Sequence, residues 1–246
     1  MIKLLSSMLV LASVFGAASG VHAQPQGQTP AAPVAGAGPA AAGGLAPGDK
    51  GAAAKKVAMC LGCHNIPGYQ ASFPEVYKVP KIGGQNAKYI AAALTAYRQG
   101  DRKHPTMRAI AASLTDQDIA DLSVFYEVQG KGREPAPPAA PVTPPDRVAK
   151  LLAQSNCASC HGANYAAPID PSYPKLAGQH ADYLYVALKS YQITGNPHLG
   201  RNNAIMAGMV KPYTSKELRL MASYIAGLPG DLRTVQESSV RLGSSD

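Results

Sequence analysis

The sequence predicts an all-α protein built as two small helical domains in tandem, and three observations predict it. A pentapeptide, Cys60-Leu-Gly-Cys63-His64, returns as Cys157-Ala-Ser-Cys160-His161, and the two copies use every cysteine of the 246-residue chain. The segments that follow each copy match one another in order, which marks an internal repeat. Their apolar residues recur at helical spacing, and no segment shows convincing period-two alternation.

The first element is residues 1–23, "MIKLLSSMLVLASVFGAASGVHA": Lys3, an apolar run from Leu4 to Val14, and small-residue spacing at Val21-His22-Ala23. This reads as a secretory signal cleaved after Ala23, since the run falls short of the ~20 residues a membrane span needs. Residues 24–47 are almost entirely Ala, Gly, Pro and Gln, without charge and with little apolar bulk, so they bury too little to order themselves and read as a tail. The first domain is expected over 48–131 and the second over 146–230. Between them the Pro-rich run 132–145 reads as a semi-extended linker, and 231–246 is left as a C-terminal tail.

Within each domain a helix-compatible run, "DKGAAAKKVAM" or "DRVAKLLAQSN", leads into the pentapeptide. Next, "PKIGGQNAKYIAAALTAYRQG" matches "PKLAGQHADYLYVALKSYQITG", with Tyr89, Leu94 and Tyr97 answering to Tyr183, Leu188 and Tyr191 near one helix face. A loop carrying a methionine is expected to follow. Thr115 with Asp118, and Thr214 with Glu217, then have the spacing of a capping box at a helix start. Behind them Ile119, Leu122 and Phe125 match Leu218, Met221 and Tyr224 as one apolar stripe per helix, which we assign to packing.

Cys-x-x-Cys-His is the attachment sequence of c-type haem. Two thiols one helical turn apart can each add to a haem vinyl group, and the adjacent imidazole reaches the iron from the same side. Two covalently bound haems are therefore expected, one on Cys60, Cys63 and His64 and one on Cys157, Cys160 and His161. A disulfide inside Cys-x-x-Cys would close a small strained ring. A four-thiolate zinc site would need pairs about 15–20 residues apart, whereas these lie 97 apart. Small helical units of this size also need a staple, which a flat apolar group at the centre supplies.

Iron needs a sixth ligand. Eight residues before each capping threonine stand Met107 and Met206, at equivalent positions of the repeats, and thioether opposite imidazole is the usual set of electron-transfer cytochromes. Met209, one turn after Met206, aligns with Ile110 and remains the alternative. His104 aligns with Asn203 and His198 has no histidine counterpart, so these and His180 are assigned to hydrogen bonding or the surface. Met59 precedes Cys60 and is rejected as a distal ligand. The carbonyl of Pro80 or Pro174 is placed to accept the other imidazole N–H of His64 or His161, and the same residues suit a turn approaching the next helix.

The chain carries 23 Lys and Arg against 15 Asp and Glu, a formal +8, shared as +4 over 49–134 and +3 over 146–246 with Lys3 completing the total. The positive charges are scattered, which suits transient docking to acidic protein surfaces and offers no run for nucleic acid.

Taken together, these motifs resemble the di-haem cytochrome c4 type: tandem class I cytochrome c domains, each with CxxCH, a P-K-L/I-x-G-Q segment, a Met loop and a terminal helix with an aromatic residue. The resemblance runs from about Gly48 to Pro229. It implies two helical domains, each wrapped around a haem and packed about a pseudo-twofold axis. It also implies haem attachment at the four cysteines, proximal ligation by His64 and His161, and distal ligation by Met107 and Met206. The implied role is a periplasmic electron carrier, not an enzyme, passing electrons from a quinol-oxidising complex to a terminal oxidase or reductase and meeting the membrane peripherally through those complexes. The alternatives are an electron-accepting subunit of a periplasmic dehydrogenase, such as a sulfide-oxidising flavocytochrome, and a di-haem peroxidase or thiosulfate-oxidising enzyme. The long Ala/Pro-rich leader and the Pro-rich linker depart from the family pattern.

Overall fold

The computed structural model describes residues 46–129 and 143–236. The expected signal segment, residues 24–45 of the tail, 132–142 of the linker and 237–246 lie outside the described residues. The first half runs α1 (Lys50–Ala53), α2 (Ala58–His64), β1 (Gln70–Ala71), β2 (Tyr77–Lys78), α3 (Ala87–Gln99), β3 (Arg102–Lys103), α4 (Pro105–Ala112) and α5 (Asp116–Val128). The second runs α6 (Asp146–Ser155), α7 (Ala158–His161), α8 (Ala181–Ser190), β4 (Gly200–Arg201), α9 (Ala204–Val210) and α10 (Ser215–Ala226). Helix for helix, α6 to α10 repeat the plan of α1 to α5.

Local chemistry sets the ends of these helices. At α5 the Thr115 hydroxyl accepts from Asp118 N at 3.1 Å and the Asp118 carboxylate accepts from Thr115 N at 2.9 Å. Thr214 and Glu217 repeat this at α10, at 3.3 and 2.9 Å. Both capping boxes stand where the spacing predicts them. α3 stops at Gly100 and α6 at Asn156, each in the left-handed conformation that ends helices.

Two cores result. Ile119, Leu122 and Tyr126 of α5 pack with Ile90 and Ala91 of α3 and with Ala53 and Val57. Leu218, Met221 and Ile225 of α10 pack with Leu184 and Val186 of α8 and with Leu151 of α6. Tyr77 of the first half joins the second core, so the halves share apolar contact as well as polar bonds.

The repeated P-K-x-x-G-Q segments meet each other across the halves. Lys81 N donates to Gln179 Oε1 and Lys175 N to Gln85 Oε1, both at 3.0 Å. Gln179 Nε2 donates to Lys81 O at 2.9 Å and Gln85 Nε2 to Lys175 O at 3.0 Å. Lys81 Nζ reaches Gly178 O, and Lys175 Nζ reaches Gly84 O. β3 and β4 pair antiparallel with Arg102 opposite Arg201, again joining equivalent positions. Reciprocal pairing of this kind is the signature of a twofold relation, because one surface then meets its own copy.

One feature breaks the symmetry. Residues 231–236, outside both expected domains, run back across the first half. Arg233 and Gly83 exchange backbone bonds at 2.9 and 3.2 Å, and Asn65 Nδ2 donates to Val235 O at 2.5 Å. The strap passes so near Gly84, at φ +81°, that a Cβ there would stand 2.6 Å from Asp231 O. Leu232, 1% exposed, anchors it. Leu232→Ala is expected to cost about 2–5 kcal/mol in urea unfolding of the haem-loaded protein. A loss below ~0.5 kcal/mol, the scale of ordinary surface changes, would contradict an anchoring role.

Candidate functional site

Each pentapeptide lies on a helical turn, so its two cysteines, three residues apart, share a face. All four thiols are unpaired, and all four, with His64, His161, Met107 and Met206, line one cavity of about 770 Å³ that runs through both halves. Its walls are mainly apolar, with Ile90, Leu94 and Leu122 on one side and Leu184, Leu188 and Ile225 on the other. Burial pushes the Cys60 and Cys157 thiols up from their ordinary pKa.

His64 closes α2 and His161 closes α7. The Nδ1 of His64 stands 2.9 Å from Pro80 O, and that of His161 stands 3.0 Å from Pro174 O. A carbonyl only accepts, so each ring carries its proton on Nδ1 and presents the Nε2 lone pair. Burial lowers both imidazole pKa values, which keeps the rings neutral and able to ligate.

The methionines are not in loops, as the sequence reading expects, but at the third position of short helices α4 and α9. The cause is capping. His104 Nδ1 accepts from Met107 N at 3.3 Å, and Asn203 Oδ1 accepts from Met206 N at 2.9 Å. Pro105, whose ring fixes φ near the helical value, opens α4. The alignment of His104 with Asn203 carried this signal, since Asn is a favoured N-cap residue. Met209 and Ile110 also line the cavity, so the choice of Met206 rests on its capped position matching Met107. His180 and His198 lie off the described lining, and Met59 is exposed. His180 sits at the N-cap of α8, where burial takes it down to about 4.

Arg102 and Arg201 were not legible as site residues, although each stands five residues before its candidate methionine. Arg102 is buried and donates to Tyr89 OH and Tyr183 OH, each at 3.3 Å. Arg201 donates to the same Tyr183 OH at 3.2 Å. Burial alone would raise the Tyr183 pKa; Arg201 and Arg102 outweigh it and bring it down to about 8. Among the described residues neither guanidinium has a carboxylate at ion-pair distance, and Arg102 Nε has no hydrogen-bond partner. Two guanidiniums facing one apolar cavity without counter-charge are costly unless an anionic ligand completes them. A c-type haem, apolar in body and carrying two propionates, has the charge and shape these walls ask for.

Comparison with known proteins agrees. Residues 145–229 match the family described as cytochrome c. The chain is 30% identical over 183 residues to a cytochrome c4 of Thiocapsa roseopersicina, covering 71% of this chain and 90% of that one. It is 26% identical over 190 residues to a thiosulfate dehydrogenase electron acceptor of Stutzerimonas stutzeri, covering 73% and 83%. The crystal structure of reduced recombinant cytochrome c4 from Pseudomonas stutzeri superposes with a TM-score of 0.53 at 26% identity, over 74% of this chain and 99% of that one.

Proposed function

The chain belongs to the cytochrome c4 family of di-haem electron-transfer proteins, with tandem cytochrome c domains and covalently bound c-type haem, and from that premise we propose that it is a periplasmic carrier. It shuttles single electrons from a quinol-oxidising respiratory complex to a terminal oxidase or reductase. The signal-like residues 1–23 support export, and no helix among the described residues is long and apolar enough to cross a membrane.

In this reading Cys60 with Cys63, and Cys157 with Cys160, hold the two haems. His64 with Met107, and His161 with Met206, would supply the ligands of the two irons. Each haem supplies a one-electron ferric/ferrous couple. Imidazole and thioether from each half would leave its iron no position open to substrate, which favours relay over catalysis. Arg102 and Arg201 would neutralise the propionates, and the apolar walls would keep water out. The observation that carries the reading is the presence of capped, equivalent methionines in both halves, on the cavity that also takes both histidines.

With a formal charge of +8, or +7 once Lys3 leaves with residues 1–23, the carrier docks acidic partners electrostatically. Stopped-flow mixing with purified quinol-cytochrome c reductase is expected to give rapid reduction whose rate falls steeply as ionic strength rises. No reduction by that complex, with rapid reduction by a thiosulfate dehydrogenase instead, favours the second reading. That reading, an electron acceptor dedicated to a dehydrogenase, is supported by the likeness to the Stutzerimonas stutzeri protein.

A further inference from the structure

The peptide between Pro80 and Lys81 is engaged on both sides. Its carbonyl stands 2.9 Å from His64 Nδ1, and its N–H donates at 3.0 Å to Oε1 of Gln179, in the other half. The peptide between Pro174 and Lys175 repeats the arrangement, with His161 at 3.0 Å on its carbonyl and Gln85 at 3.0 Å on its N–H. Each glutamine is held in one orientation. Gln179 Nε2 donates to Lys81 O and its Oε1 also accepts from His180 N; Gln85 does the same with Lys175 O and Asn86 N. They are 5% and 3% exposed, so water offers little competition for these bonds.

We propose that each glutamine tunes the proximal histidine of the opposite haem: Gln179 acts on His64, and Gln85 acts on His161. The peptide is a resonant unit, so accepting from its N–H shifts electron density onto its oxygen and makes that oxygen a better acceptor. A better acceptor strengthens the bond from Nδ1–H and makes the imidazole a more basic ligand. A more basic ligand favours ferric iron and lowers the potential. The glutamines are thus positioning residues acting through a peptide. Each iron is set partly by the half of the protein that does not hold it. Docking of the two halves therefore adjusts both potentials, in addition to bringing the centres together.

This rests on the proximal ligation proposed above. The test uses the full-length di-haem protein and follows two quantities: the ring Nδ1–H resonance of each proximal histidine by NMR, and the midpoint potential of each centre. Gln179→Leu is expected to shift the His64 resonance, speed its exchange with solvent, and raise the first centre's potential. Cooperative strengthening of about 10–30% per bond sets the expected change in that centre's ferric/ferrous ratio at no more than about twofold. His161 and its centre stay as they were. Gln85→Leu is expected to give the mirror result. Gln179→Glu, which keeps an acceptor on Lys81 N–H and strengthens it, is expected to move the His64 resonance the opposite way. A shift confined to His161 in Gln179→Leu, equal shifts at both centres, or no shift at either overturns the proposal, as does a glutamate that moves His64 in the same direction as leucine. Absence of any iron-shifted His64 ring N–H in the unsubstituted protein instead refutes the ligation on which it rests.

Discussion

Met206→Ala is expected to abolish the near-infrared methionine-to-iron band of the second centre and to open that ferrous iron to carbon monoxide, while Met209→Ala leaves both properties intact. The reason is positional. Met206 is the third residue of α9 with its N–H capped by Asn203, as Met107 is the third residue of α4 with its N–H capped by His104. Both methionines therefore enter the cavity from a fixed backbone turn. Met209 stands one turn farther along, at the place that Ile110 fills in the first half, where an apolar side chain suffices. Losing the thioether also lowers the second centre's potential, because thioether stabilises ferrous iron. Carbon monoxide uptake rises from none to one per chain. If Met209→Ala removes the band and Met206→Ala spares it, the ligand assignment is wrong.

Arg102→Leu should have the next largest effect. Arg102 is buried between Tyr89, Tyr97 and Tyr183, with its guanidinium 4.6 Å from the Tyr97 ring centre and no protein carboxylate to neutralise it among the described residues. If haem propionates complete that charge, leucine strands them in an apolar setting. Breaking a buried pair of this kind costs about 3–5 kcal/mol, measurable by denaturant unfolding of the holoprotein. The sign of the accompanying pH effect follows. A stranded carboxylate has a raised pKa, so it takes up a proton as pH falls and the potential, lowered at neutral pH by the uncompensated negative charge, recovers on acidification. An Arg102→Leu protein as stable as the original, with an unshifted potential, would show that the guanidinium does not face the propionates.

Much of this molecule was legible before its shape was known, and the division has physical causes. The pentapeptides, the capping boxes and the apolar stripes of α5 and α10 are local patterns, in which chemistry and conformation depend on neighbours three or four residues away. The Pro80 and Pro174 carbonyls were legible for a related reason, since a ligating histidine needs a partner for its second nitrogen. What escaped depends on distant parts of the chain. The repeated P-K-x-x-G-Q was read from its proline end alone. Its lysine and glutamine serve the other half, and nothing local to one copy reveals that it meets its twin. Arg102 and Arg201 looked like two scattered surface charges until β3 paired with β4. The C-terminal strap gave no signal, because Leu232 and Val235 are isolated apolar residues whose burial needs the first half to be in place. Treating the methionines as loop residues was a local error: His104 was weighed as a rival ligand, and its capping role was missed.

The central claim is that one closed haem site was built twice, and near-infrared magnetic circular dichroism of the ferric full-length protein, normalised to its haem content, tests it most directly. The account predicts two haems per chain, both contributing the methionine-to-iron band, with no carbon monoxide uptake after reduction. A band of half that intensity, or one carbon monoxide bound per chain, would contradict it.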